Sequence, residues 1–384
     1  MKSLRRISSV LLAPIAALAL FGDRSESKSS PPKIYRAYVG TYTNKTDSKG
    51  IYEFRFDATT GKMSVPEVAA DTRDPSWVAV HANGRFLYAA NEAGKASKVS
   101  AFAIEPESGK LTLLNQLPAL GEDPCHLSFD RTGKFLFVAN YTSGNVAVFP
   151  ILPDGKLGEH TALVEDQGAS GPNKERQEGP HAHWIAASEH NRSVFVADLG
   201  LDRVLVYKFD PAKGTLGPSA TPWEAKPGTG PRHIAGSRDG KFLYVLGELE
   251  STVTVLANEG GPPRLLQTLP MLPAGFTARN DAAEIAIHPS GKFLYASNRG
   301  HDSIVAYAIH PQRGTLTQVE DVPTGGKEPR HFAIDPTGKF LLVENQLSDS
   351  IVEFRIDPAT GKLTPTGETL NLPSPVCITF LAVH

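Results

Sequence analysis

Arginine, histidine and glutamate sit together in short turn-flanked stretches of this chain: Gly179-Pro180-His181-Ala182-His183-Trp184, Gly230-Pro231-Arg232-His233, Glu248-Leu249, Ser297-Asn298-Arg299-Gly300 and Pro329-Arg330-His331. A single arginine at a loop end is most often solvated or ion-paired. Here Arg232, Arg299 and Arg330 fall at matching places in a repeating pattern, without a matching number of acids among the positions considered. Clustered guanidinium groups suit a carboxylate or phosphate on a small ligand, because the planar fork donates parallel hydrogen bonds to an oxyanion. His183 and Glu248 are the acid/base candidates. No G-x-S-x-G nucleophile motif occurs. His181-Ala182-His183 without nearby cysteine or carboxylate ligands is a weak metal signal, so neither a metal nor a cofactor is expected. Chemistry on this chain would therefore be general acid/base catalysis with electrostatic assistance.

The elements that must position these residues come from a repeat. Phe86, Phe135, Phe242, Phe293 and Phe340 each open an apolar run after a Gly-Lys or Gly-Arg turn, and Ser193 in the degenerate Asn191–Asp198 stretch holds the same place. Tyr35 completes a set of seven at intervals of about 50 residues, the size of one four-stranded propeller blade. A second short strand precedes six of these anchors, beginning at Pro75, Pro124, Ala182, Pro231, Ala282 and Pro329. The Tyr35 repeat has no such partner, whereas Pro375–Phe380 has the partner's pattern and no anchor after it. The reading is an all-β, seven-bladed β-propeller with four-stranded blades, circularly closed by the C-terminal strand joining the N-terminal blade. Closure removes exposed sheet edges; an open β-solenoid would have much shorter coils.

In each blade strand A is the innermost, Pro-led run and strand B the anchor run. Strand C is a run such as Asn145–Phe149, Arg203–Phe209 or Ser303–Ala308, and strand D follows a turn such as Asp357-Pro358-Ala359-Thr360-Gly361. Strands A and B are antiparallel, so the start of A and the end of B share one mouth of the central channel. This places His183 and Trp184, Arg232 and His233 with Glu248, Glu284 with Arg299, Arg330 and His331 with Gln346, Ser76 and Trp77 with Glu92, and His126 with Tyr141 at that mouth. His233 and His331 lie one step further along and are expected to pack or hydrogen-bond between blades. The long connection Glu165–Gly179 is either a surface insertion or brings Asn173, Arg176 and Gln177 into the pocket wall.

Formal charge is −2 from 39 basic and 41 acidic residues, which leaves no basic field for nucleic acid or anionic lipid. The 34 glycines and 30 prolines suit a folded chain with many tight turns. The two cysteines, Cys125 and Cys377, fall a blade apart and are expected to be buried free thiols. At the N-terminus Lys2, Arg5 and Arg6 precede an apolar run from Ile7 to Phe21 with Ala17-Leu18-Ala19 near its end. Residues 1–22 read as a secretory signal peptide, 23–33 as a disordered spacer and 34–384 as the single propeller domain. An exported, monomeric product, free of the membrane in its mature form, is expected.

The motifs at 179–184, 230–233, 248–249 and 297–300 resemble those of the seven-bladed propeller lactonases. That family includes propeller-type bacterial 6-phosphogluconolactonases and fungal 3-carboxy-cis,cis-muconate lactonizing enzymes. The resemblance spans residues 34–384 and implies an active site of one histidine, two arginines and a glutamate: His183 or its neighbour His181, with Arg232, Glu248 and Arg299. His181, Glu284, Arg330, Arg176 and Gln177 are then expected to bind substrate. The implied reaction hydrolyses, or in reverse forms, the ring ester of a small anionic sugar-acid or carboxylated lactone. Phosphorylated sugar lactones of central metabolism are cytosolic, whereas this chain reads as exported. Either the substrate is a different lactone, or the propeller is a non-catalytic binding or surface-associated module, for which an apolar patch on the opposite face is expected.

Overall fold

The computed structural model describes residues 33–259 and 262–383, so the expected signal segment and nearly all of the spacer lie outside the described residues. Seven four-stranded antiparallel sheets make up this region. Six of the seven anchors begin their strands, Phe86–Asn91, Phe135–Asn140, Ser193–Asp198, Phe242–Gly247, Phe293–Arg299 and Phe340–Asn345, and the strand at Tyr35 begins one residue earlier, as Ile34–Thr41. Strand A runs Pro75–Val80, Pro124–Phe129, Ala182–Ala187, Pro231–Gly236, Asp281–Ile287 and Pro329–Ile334, one residue earlier than expected in blade six.

Blade one closes the ring. Its order is Pro375–Ala382, Ile34–Thr41, Gly50–Asp57, Glu67–Asp71, with Tyr35 opposite Ala382 and Gly40 opposite Cys377. The first and last strands described thus share one sheet, and Ile34–Thr41 keeps no open edge.

The core lies mainly between blades. Phe137, Val146 and Val148 of blade three pack with Ile185, Val196 and Phe209 of blade four in one buried cluster. Strand B is buried on both faces in nearly every blade, which explains why its sequence is a continuous apolar run rather than an alternating one. A tyrosine in strand B also ties successive blades. The hydroxyls of Tyr38, Tyr88, Tyr244 and Tyr295 donate to the carbonyls of Gly109, Gly155, Gly314 and Gly361, at 3.0, 2.8, 3.0 and 2.8 Å. Each glycine lies in the next blade's C–D turn. Gly155 has φ of 85° and a side chain there would meet the Phe86 ring at 2.3 Å, so the turn needs glycine for both conformation and space. Tyr88→Phe or Tyr244→Phe is expected to cost about 1–2 kcal/mol by leaving that buried carbonyl unpaired, as read from urea unfolding midpoints.

A bulge follows the first residue of strand A in six blades, and the second residue, Ala282, in blade six. Pro75 faces Asn91 and Trp77 faces Ala90, so Ser76 is unpaired in the ladder. Cys125, His183, Arg330 and Val376 are the extra residues in blades three, four, seven and one. In blades five and six the irregular step spans Arg232-His233 and Ala283-Glu284. A bulge bends the strand and re-aims one side chain, and these seven bulges line the channel mouth. Both cysteines are free and buried.

Candidate active site

Glu248 is the centre of the mouth. It follows strand B of blade five, its N–H donates to Gly230 O at 2.8 Å, and its side chain is 2% exposed. Arg176 Nη2 and Arg299 Nη2 lie 2.6 and 3.1 Å from its Oε1. Arg232 Nε is 2.9 Å from Oε2 but off the line of a hydrogen bond, so that pair attracts by charge alone. Burial raises the Glu248 carboxyl, yet Arg299, Arg232 and Arg176 outweigh it and push its pKa down to about 2. That shift contributes stability fully present above about pH 4.5 and lost as pH falls through about 2. Arg232 bears an opposing effect. Burial, then Arg299, pull it down to about 10 against the pull of Glu248.

The three arginines are held by more than the carboxylate. Arg232 Nη1 donates to the Ala283 carbonyl. Arg299 Nε donates to Asp281 O at 3.2 Å and its Nη2 to Ala282 O at 3.4 Å. Arg176 reaches in from the long connection, donates to the Tyr141 hydroxyl at 3.2 Å, and meets Asp281 Oδ1 at 3.4 Å. The connection therefore reaches the mouth, and a cleft of about 580 Å³ opens beside it, lined by Asn173, Arg176, Leu249, Leu272 and Asp281.

His183, not His181, stands next to the carboxylate. Its Nε2 is 4.0 Å from Glu248 Oε2, and its Nδ1 is 3.7 Å from Cys125 Sγ. Burial, then the charges of Arg232, His233 and Arg330, hold its pKa well below 6.5, so the imidazole is neutral. His181 instead stacks on the Tyr141 ring at 4.4 Å, with Nδ1 2.9 Å from Tyr141 O and Nε2 3.1 Å from the exposed Glu178.

Two other expected positions fall elsewhere. Gln177 is buried inside its own connection, with Nε2 donating to Leu199 O at 2.8 Å and Oε1 accepting from Asn173 N at 3.1 Å. Glu284 lies in a layer below the mouth rather than at it. Its Oε2 is 3.0 Å from His233 Nδ1 and 3.7 Å from His331 Nε2, and His331 Nδ1 is 2.5 Å from Glu344 Oε2. Trp77 and His126 pack among these rings. His233 bonds from blade five to blade six, as the step along strand A suggests.

Three residues at the mouth were missed. Tyr42 follows strand B of blade one, the same place that Glu92, Tyr141 and Glu248 occupy in theirs, so the repeat rule applied to blade one finds it. Asp281 and Glu328 immediately precede the Ala282 and Pro329 positions. They supply acids opposite the arginines, Asp281 beside Arg176 and Glu328 Oε1 4.0 Å from Arg299 Nη1. The mouth is therefore closer to charge balance than the arginine count alone suggests.

In this arrangement the neutral imidazole can accept a proton from water, the ionised carboxylate beside it can steady the resulting charge, and the fixed guanidinium groups can stabilise an oxyanion. Both protonation states are already set at neutral pH. A rate that depends on them is expected to be level across about pH 6–8 and to fall only in stronger acid. A pH–rate profile with its acidic limb centred near 6.5 would contradict that assignment.

The 7-bladed β-propeller lactonase family matches residues 36–380. A 6-phosphogluconolactonase of Bacillus subtilis is 39% identical over 349 residues, covering 90% of this chain and 98% of that protein. One from Formosa agariphila is 36% identical over 304 residues, covering 77% and 85%. The solved periplasmic gluconolactonase of Pseudomonas aeruginosa superposes with a TM-score of 0.86 at 35% identity, covering 91% of this chain and 100% of that one. With its ring of seven blades and a glutamate among arginines at the channel mouth, this chain belongs to the seven-bladed β-propeller lactonase family.

Proposed function

We propose that the protein hydrolyses the ring ester of a small sugar-acid or carboxylated lactone by general acid/base catalysis with electrostatic stabilisation. The observation that carries this is Glu248, ionised among Arg176, Arg232 and Arg299 and facing the neutral His183. Water attacks the lactone carbonyl while His183 Nε2 takes its proton. Arg232 and Arg299 stabilise the oxyanion as charge develops. Glu248 steadies the imidazolium across 4.0 Å. Collapse breaks the ring C–O bond, and the proton passes from His183 to the departing ring oxygen, giving the open hydroxy acid. In the ring-closing direction the same groups act in reverse order.

The relatives support this reading by name. The periplasmic location of the Pseudomonas protein supports export through residues 1–22. No helix among the described residues is long and apolar enough to cross a membrane. Among the described residues the large apolar side chains that are well exposed are all aliphatic and are scattered over several blades, Val65, Leu113, Leu163 and Leu265 on outer strands or their turns and Leu347 just after strand B of blade seven, a scatter that does not favour a binding module. The test is turnover of gluconolactone, its 6-phosphate and carboxylated five-membered lactones, followed by acid release against the spontaneous rate. A kcat/KM of about 10⁴ M⁻¹s⁻¹ or more on one of them is expected. Background rates across the whole panel would overturn the proposal.

A further inference from the structure

The fourth arginine of the mouth differs from the other three. Arg330 is the bulge residue of blade seven, the same place in the repeat that Arg232 holds in blade five. Arg232 has Glu248 at the end of its own strand B, whereas Arg330 has Gln346 there. Among the described residues, the Arg330 guanidinium makes no hydrogen bond within the protein although its side chain is only 18% exposed. It lies over the Tyr42 ring at 5.3 Å, and its Nη2 is 4.0 Å from Glu92 Oε2. The Tyr42 hydroxyl donates to that same oxygen at 2.8 Å, which leaves Glu92 Oε1 as an open acceptor.

These three residues come from blades seven, one and two. The proposed catalytic residues come from blades four, five and six, so the two groups occupy different arcs of one mouth. They share its field: the charge of Arg330 is felt at both His183 and Arg232. Free N–H donors therefore sit beside a free carboxylate oxygen, with an aromatic ring under the guanidinium. A hydroxyl both donates and accepts, so two neighbouring hydroxyls satisfy this pair at once. A phosphate dianion offers only acceptors and negative charge; it would be drawn to Arg330 but repelled by Glu92.

We infer that Arg330, Glu92 and Tyr42 form the subsite that reads the hydroxylated tail of an unphosphorylated sugar lactone, with Glu92 acting against a phosphate there. This rests on the lactonase reading for its substrate class and departs from the expectation that the mouth arginines hold an anionic substituent. Arg232, Arg299 and Arg176 each pair with Glu248, whereas Arg330 is the mouth arginine with no hydrogen bond within the protein among the described residues, and Glu92 is the acid beside it.

The test compares glucono-δ-lactone with its 6-phosphate, and separately the binding of gluconate and 6-phosphogluconate by calorimetry. Wild-type protein is expected to prefer the unphosphorylated member of each pair. Glu92→Gln should raise KM for the unphosphorylated lactone about 10-fold with kcat little changed, and move the preference ratio toward the phosphate by a similar factor. Arg330→Ala should weaken both members. A wild-type preference for the phosphorylated member that Arg330→Ala abolishes would overturn the inference, and so would no response of either ratio to Glu92→Gln. Absent turnover with an intact gluconate preference would remove the lactonase reading while keeping the subsite.

Discussion

Arg232→Ala is expected to lower kcat/KM on the best lactone by about 10²–10³-fold while the propeller stays folded, the size of effect seen when one fixed oxyanion donor is lost. The argument begins with position. Arg232 lies in a bulge, 2% exposed, with Nη1 anchored on Ala283 O and Nε 2.9 Å from Glu248 Oε2. Arg299 and Arg176 contact the other carboxylate oxygen, so neither replaces it on the side that faces His183. Removing Arg232 also lets the His183 pKa rise, since Arg232 follows burial as a cause of its depression. The acidic limb of the pH–rate profile should then move upward, a change that simple loss of packing would not produce.

The fold should tolerate this change. Loss of a buried guanidinium normally strands its partner at a cost of about 3–5 kcal/mol. Here Glu248 keeps two arginines, and the repulsion between Arg232 and Arg299 disappears. Steady-state kinetics beside a thermal melt separates the two effects. Wild-type kcat/KM in a folded Arg232→Ala protein would remove this residue from the mechanism, and a protein that fails to fold would show the charge to be structural.

The second large effect concerns ring closure. Deleting residues 375–384 is expected to abolish soluble, folded protein. The lost strand pairs from Tyr35 to Thr41, buries Val376, Cys377 and Ile378, and seats Phe380 against Phe56 at 5.7 Å between ring centres. Its Ile378 N–H also points to His331 Nδ1 at 3.4 Å, so the layer below the mouth loses a wall. Each buried aliphatic side chain contributes about 1.5–3 kcal/mol, and a whole strand of them, with its ladder, rivals a net stability of about 5–15 kcal/mol. The remaining strand Ile34–Thr41 would present an open, apolar edge prone to aggregation. Ile378→Ala is the milder form and should cost about 2–5 kcal/mol in urea unfolding. A soluble truncated monomer with an unchanged melting temperature would show that closure is not required.

Seven blades, the starts of their two inner strands to within one residue, and the closing strand were legible in the amino-acid order because they arise from local physics. Strand B is mostly apolar because it is buried on both faces, and Asp-Pro-x-x-Gly turns between strands C and D preset the backbone angles there, as at Asp357–Gly361, where Gly361 has φ of 74°. Such patterns repeat wherever the same environment repeats, so a period of about 50 residues exposes them without any knowledge of neighbours. The choice of His183 over His181, the depth of Glu284, the inward turn of Gln177 and the acids Asp281 and Glu328 were decided only in three dimensions. A bulge changes which face a side chain takes by a single residue, and the groups that meet at Glu248 come from chain positions as far apart as Arg176 and Arg299. Their distances depend on how blades pack around the channel, and no local pattern in the chain records that.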